Sequence, residues 1–595
     1  MSDIPLETNA IPLAAPSFRR YWALLARYLK PQARRAAWMA ALLLAGLALQ
    51  LANPQIIRYF LDTAQAGGEM RFLLAAGGLF IAFALLQQAL KLAAGYASKD
   101  VGWAATNRLR ADLALHCLRL DMPFHKRFTP GELIERIDGD VTLLANFFSA
   151  FAVRVLGNAL LVVGILALLA REDLRVGVGM LAYTGLTLLV LSQIQKMAVP
   201  RWAAERQAGS ELYGYIEERI SGAEEVRAAG AEAHALRRLY GLMRVFNEKS
   251  RAAAVVSSLA YNLTNLVYVV GYAGGLALGV FLFQQGSASL GSAYLITYYI
   301  AMLADPLQAI RGQVEDFQQA AAALQRIDAL FTLQPQVADP SGDPYPLPAG
   351  ALAVAFDKVS FHYEEDDLVL HEVSFAIRPG RVLGILGRTG SGKSTLTRLL
   401  FRLYDPAQGA VCLEDTDLRQ VTLADLRRRV GMVTQDVQLF QASVRENLVF
   451  FNPEIPQERL EEVLRALHLW EWVCALPQGL DTPLAGGQGL SAGEAQLLAF
   501  ARVFLKDPGL LILDEASSRL DPSTETLMER AVDRLFAGRT GVVIAHRLKT
   551  VERADDILIL EEGRVVEYGP RAELAADPAS RFSRLLKTGL EEVMA

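Results

Sequence analysis

No charged residue falls between Ala36 and Ile57, between Phe72 and Leu90, or between Val176 and Gln195. Each run is about as long as a helix must be to cross the ~30 Å hydrocarbon core of a bilayer. Val141 to Ala170 carries Arg154 as its one charge, and Ala252 to Ala304 carries none and breaks only at QQGSASLG, residues 284–291. Inside lipid each backbone N–H and C=O must find its partner within the segment, which restricts such runs to helices. Six transmembrane helices are therefore expected. Composition points the same way, since 52% of the 595 residues are hydrophobic and only 21% are charged, a balance suited to partial immersion in lipid.

The flanks give orientation. Arg19, Arg20, Arg27, Lys30, Arg34 and Arg35 precede the first run, and Lys196, Arg201 and Arg206 follow the fourth. By the positive-inside rule the N-terminus is expected in the cytoplasm, and an even number of spans returns the C-terminus there. The sequence predicts a multi-pass protein of the cell (inner) membrane. MSDIPLETNAIPLAAP at the start lacks the basic region and apolar core of a secretory signal. SFRRYWALLARYLK, which follows it, has the two-faced pattern of a helix lying in the membrane interface. Between spans two and three, MPFHKRFTPGELIERIDGDV reads as cytoplasmic, as does EERISGAEEVRAAGAE between spans four and five. Each is either a solvated helical extension or a docking surface for another domain. Arg154 is open to two readings, a functional intramembrane charge or a side chain at the cytoplasmic interface. Spans five and six also contain Asn262, Thr264, Asn265, Tyr268, Tyr298 and Tyr299. These suit an amphipathic substrate, and helix packing accounts for them equally well.

Proline-rich QPQVADPSGDPYPLPAG, residues 334–350, ends the helical pattern. Beyond it, β-type runs such as VLGIL, RVGMVT, LLILD and GVVIA alternate with helical stretches, the pattern of an α/β domain with a largely parallel sheet. VLGIL leads into GRTGSGKST and then a helical segment, the strand–loop–helix context that a P-loop requires. Gly387, Gly390 and Gly392 let backbone N–H groups approach phosphates, and Lys393 reaches the β and γ phosphates of ATP. The Ser394 hydroxyl, with Thr395 beside it at the helix start, is placed to ligate Mg²⁺. Asp514 ends LLILD and can hold the same Mg²⁺, while Glu515 can orient or deprotonate the attacking water. Three more residues gain meaning beside these. Tyr363 in FHYEED can stack on adenine or serve as an ordinary strand aromatic. Gln435, after GMVT, can sense metal and water, and His546, after VVIA, can donate to the γ phosphate.

Net charge is −5, too near neutral to give a basic field, and no nucleic-acid partner is expected. Cys117, Cys412 and Cys474 lie far apart with no metal-ligand spacing, which reads as buried thiols in a reducing compartment.

The order Tyr363, GRTGSGKS, Gln435, LSAGE, LLILDE, SRLD and His546 resembles the ATPase domain of ATP-binding cassette transporters. The six preceding spans, with their two cytoplasmic extensions, resemble an exporter-type half-transporter of that family. The resemblance implies an N-terminal tail at 1–16, a transmembrane domain at 17–330, a linker at 331–350, a nucleotide-binding domain at 351–587 and a short tail at 588–595. It implies a multi-domain fold, an all-α polytopic membrane domain followed by an α/β P-loop ATPase. It also implies ATP-driven export of a lipid, drug-like or other amphipathic compound by a dimer. In that dimer Ser491 and Gly493 of LSAGE, with Asp521 of SRLD, serve the nucleotide site shared with the second half-transporter. FTPGELIER and SGAEEVRA resemble the segments that pass ATPase motion to the membrane helices. Two departures stand out. Ala492 and Glu494 occupy the places of a glycine and the glutamine in the family's Leu-Ser-Gly-Gly-Gln, and TPLAGGQG lacks a glutamate expected before it. An intact hydrolytic set beside an altered signature favours a heterodimer, with a homodimer of weakened ATPase as the rival. A peptide exporter, a gated channel and a non-transport ATPase are alternatives, and the last would lack the spans.

Overall fold

The computed structural model describes residues 26–363, 367–434, 437–484, 490–514, 522–545 and 551–588. The chain divides into two compact units. The first comprises residues 1–118 and 130–333, and the second residues 119–129 and 334–595. The segment 119–129, left open in the sequence as a solvated extension or a docking surface, thus groups with the second unit. Most of the predicted interfacial helix lies outside the described residues.

The first unit is helical. Among the described residues five helices are long and apolar enough to cross a membrane, within Ala26–Gln65, Met70–Arg119, Pro130–Glu172, Leu174–Ser221 and Glu232–Gln284. At 1.5 Å per residue the 50-residue helix Met70–Arg119 is roughly 75 Å long, far more than a bilayer needs. Many of the apolar side chains on these helices face outward, among them Leu85, Val163, Leu186 and Leu266, as lipid contact requires. The sixth expected span departs from the reading. It is divided into helices Leu290–Met302 and Ala304–Thr332. Pro306 is the cause, because it has no N–H for the carbonyl at position 302 and its ring crowds that carbonyl. Around the break Leu303 donates instead to the Ile300 carbonyl.

Several of the polar residues singled out in spans five and six are held by hydrogen bonds within the helical unit. The Tyr299 ring is fully buried, and its hydroxyl donates to the Leu51 carbonyl at 2.7 Å and accepts from Gln55 at 3.1 Å. Tyr268 donates to the Ala304 carbonyl, while Thr264 and Asn262 turn back onto their own helix. A polar clasp joins the ends of three helices. Asp62 accepts from the Gly291 N–H at 2.8 Å and the Ser289 hydroxyl at 3.0 Å, while Arg58 pairs with Glu172.

In the second unit a six-stranded sheet runs in the order Arg564–Pro570, Asp556–Glu561, Val382–Leu386, Thr540–Ile544, Leu510–Asp514, Val430–Val433. The pairs are parallel except for the antiparallel edge strand Arg564–Pro570. A second, antiparallel sheet contains Leu368–Ile377, Val354–His362 and Gln408–Leu413. Val354, Phe356, Leu370, Leu383, Ile385, Leu396 and Leu399 form the core between the two sheets. A second core, including Leu464, Leu497, Phe500, Leu511 and Leu513, seats helix Ala492–Lys506 on the parallel sheet.

Candidate nucleotide site

Parallel strands place all their carboxyl ends along one edge, where open α/β sheets bind ligands. Strand Val382–Leu386 is buried throughout and ends at the predicted phosphate loop. Its neighbour Thr540–Ile544 pairs in turn with Leu510–Asp514 in register Ile544↔Asp514, so Asp514 reaches the same edge. Strand Val430–Val433 ends there one strand further out, just before Thr434.

Glycine is required in the loop itself. Gly387 has φ 151°, and a Cβ there would lie 2.2 Å from the Leu560 carbonyl oxygen. At Gly392, with φ 102°, a Cβ would lie 2.7 Å from a Leu370 methyl. Gly390 also has positive φ. Helix Lys393–Leu400 starts immediately after Gly392, so the positive end of its dipole faces the loop. Lys393 is buried, and its Nζ donates to the carbonyls of Gly387 at 2.6 Å and Arg388 at 2.9 Å. The Ser391 hydroxyl is buried without a hydrogen-bond partner. A curled loop, an ammonium folded into it and an unspent hydroxyl fit a phosphate chain well. Ser394 and Asp514, the two predicted Mg²⁺ ligands, line one cavity of roughly 1230 Å³, together with Thr434.

Tyr363 is held from several sides. Its hydroxyl lies 3.2 Å from the Thr395 hydroxyl and accepts from Arg398 at 2.9 Å. The Lys126 ammonium sits over the ring, 4.0 Å from its centroid, and Tyr404 meets the ring edge-on. Burial alone would lower the Arg398 pKa, but the Tyr363 hydrogen bond and the negative Asp514 outweigh it and hold it above the ordinary guanidinium value. Burial pushes the Tyr404 phenol up.

Ser491 caps helix Ala492–Lys506 in a complete capping box. One Glu494 carboxylate oxygen accepts from the Ser491 N–H at 2.7 Å and from its hydroxyl at 2.9 Å. Gly493 is buried beside it. Neither Ser491 nor Gly493 lines the cavity that holds Ser394 and Asp514. Gln435, Glu515, Asp521 and His546 lie outside the described residues, as does the GGQG stretch before the signature. Sequence reading missed Arg398 and Lys126. Arg398 could have been found five residues after Lys393, in GKSTLTR. Lys126 has no local signal, because 237 positions separate it from Tyr363.

This fold and this site define a membrane-embedded ATP-binding half-transporter, one helical membrane unit fused to one P-loop unit. The chain belongs to the ABC transporter family: residues 37–307 match its transmembrane region and residues 370–518 its ATP-binding part. It is 30% identical to a fatty acid ABC transporter ATP-binding/permease protein of Mycobacterium bovis, over 94% of this chain and 95% of the relative. Identity is 31% to an ATP-dependent lipid A-core flippase of Burkholderia pseudomallei, over 93% and 94% of the two chains. In fold it is similar to a bacterial Atm1-family ABC exporter solved with ATP bound, at TM-score 0.79 and 24% identity, covering 93% of this chain and 98% of that one. It is an integral membrane protein with an exporter-type fold.

Proposed function

We propose that this chain is one half of a dimeric exporter that hydrolyses ATP to move an amphipathic compound out of the cytoplasmic leaflet. The observation that carries the reading is the convergence of the curled loop, Lys393, Ser394 and Asp514 on one sheet edge, in a chain whose other half is membrane helices. The ATPase unit then faces the cytoplasm, as the basic flanks of the spans require. Tyr363 stacks on the adenine, the loop amides and Lys393 hold the phosphates, and Ser394 and Asp514 hold Mg²⁺, with Gln435 monitoring it. Mg²⁺ supplies charge neutralisation on the phosphates. Glu515 orients the attacking water and His546 donates to the γ phosphate. Names of relatives that handle a fatty acid or a lipid A core agree with an amphipathic cargo.

The assembly we favour is a heterodimer, and Glu494 is the reason. Its carboxylate is committed to the cap that presents Ser491. In a head-to-tail dimer that charge would stand near the phosphates bound by the other subunit. At roughly 7 Å and an effective dielectric near 20, such repulsion costs about 2 kcal/mol. The site formed with this signature would therefore close poorly, leaving turnover to the site where Glu515 meets a partner's signature.

The test is Glu515→Gln in the complete transporter. Loss of the water-orienting carboxylate should lower ATPase activity by at least about 100-fold while ATP binding stays intact. Near-normal hydrolysis by the variant would overturn the assignment.

A further inference from the structure

Most polar side chains of the membrane unit are accounted for. The clasp uses Arg58, Asp62 and Glu172, Tyr299 serves packing, and Asp140 pairs with Arg326. One set is left. A cavity of roughly 670 Å³ opens among helices Ala33–Gln65, Met70–Arg119, Gly157–Glu172 and Ala304–Thr332. Its lining combines apolar side chains, among them Leu42, Leu47 and Leu161, with four charged ones, Lys91, Arg154, Asp305 and Asp316. Among the described residues no ion pair engages any of these four charges. Gln313, in the same lining, is only 6% exposed, and its side-chain oxygen has no hydrogen-bond partner. The backbone widens into a π-helical stretch at Phe151–Leu156, which carries Arg154, a distortion that recurs at functional sites.

We propose that this cavity is the headgroup site for a zwitterionic amphiphile, one anionic group and one amine on an apolar tail. The proposal rests on the exporter reading above and names its substrate class. Charges in or near lipid normally neutralise one another. Here both signs line one space without pairing. An anionic headgroup would satisfy Lys91 and Arg154 but face Asp305 and Asp316, and a cationic one would do the reverse. An uncharged headgroup would leave all four unmatched. Only a group of both signs completes the set, with the Gln313 oxygen free to accept from the amine. Depth agrees. Arg154 lies eighteen residues before Glu172 on the third span, roughly 27 Å along a helix. That is about one hydrocarbon thickness from the outer end, hence at the inner headgroup level. The leucines of the lining are left for the tail.

The experiment measures binding of acyl-labelled phosphatidylethanolamine and phosphatidylglycerol to the complete transporter in nanodiscs without nucleotide. The zwitterionic probe should bind at least about tenfold more tightly. Arg154→Gln should weaken both probes, and Asp305→Asn with Asp316→Asn should bring the preference close to one. Asp316→Glu, which keeps the charge, should retain it, and melting temperatures identify any variant that merely misfolds. Equal binding of the two probes to the wild type, or a preference indifferent to the aspartates, overturns the proposal. ATP-driven movement of the same probes in proteoliposomes is scored separately. Selective binding without movement would leave the cavity assignment standing and sink the exporter reading, whereas movement without headgroup preference would do the opposite.

Discussion

Glu494 takes two hydrogen bonds from Ser491 through one carboxylate oxygen. A glutamine offers the same acceptor without the charge, so Glu494→Gln should keep the helix start and alter only electrostatics. In the favoured heterodimer that signature faces the partner's weak site. The substitution should then lengthen nucleotide retention there, while steady-state turnover changes less than about twofold. A homodimer would respond differently, since relief of about 2 kcal/mol at both sites should raise ATPase activity severalfold. Filter binding and ATPase assays on the purified chain, with and without its partner, separate the two. Vigorous ATP hydrolysis by the wild-type chain alone would end the heterodimer preference. At this scale the sequence was eloquent where chemistry is local. GRTGSGKST names its own function because strand, loop and helix are contiguous. Lys126 was silent, because what it does depends on a tyrosine brought near by the fold.

Helices of the membrane unit were legible as charge-free runs because lipid removes every alternative to a helix. The interruption at Leu303 was less so, although Pro306 stood in plain view. Hydropathy averages over a window, and a backbone break adds no charge to it. Helix Leu290–Met302 also shows how an element is tied to its neighbours. Ser289 caps it from within the chain, and Asp62 adds an acceptor for Gly291 from another helix. A Cβ on Gly291 would lie 2.6 Å from the Arg58 carbonyl oxygen and 2.7 Å from the Asp62 carboxylate. Gly291→Ala must therefore push the two helices apart or break the clasp. Overpacking of this kind costs about 1–3 kcal/mol, and the melting temperature in detergent should fall by several degrees. Ser287→Ala, in the same connection but outside the clasp, serves as the control. An unchanged melting temperature for Gly291→Ala would mean that the clasp bears no load.

Across the whole molecule, the segment 119–129 leaves the membrane unit in sequence and joins the ATPase unit in space. Asp121 accepts from the N–H groups of Gln336, at 2.6 Å, and Val337, and Lys126 covers the Tyr363 ring. No periodicity could have assigned these residues to the second unit, because MPFHKR is as plausible a solvated turn as a docked helix. If Lys126 steadies the ring that receives the base, Lys126→Ala should weaken ATP binding about two- to tenfold, the value of an ordinary cation–π contact. Lys126→Arg should remain near wild type. Titration of a fluorescent ATP analogue measures both, and identical affinities in all three proteins would confine the lysine to a structural part.

That threading also bears on how such a chain can be cut and recombined. A gene split at the proline-rich linker would separate 334–595 from eleven residues that complete its unit. The ATPase half made alone would leave Tyr363 without its lysine and the linker amides without Asp121. Nor could the half be exchanged freely between transporters, since the donor's catalytic unit would arrive lacking a piece that the recipient's membrane half must supply in matching sequence. Inheritance of the two halves is thereby coupled through a short helix that belongs to one by sequence and to the other by structure.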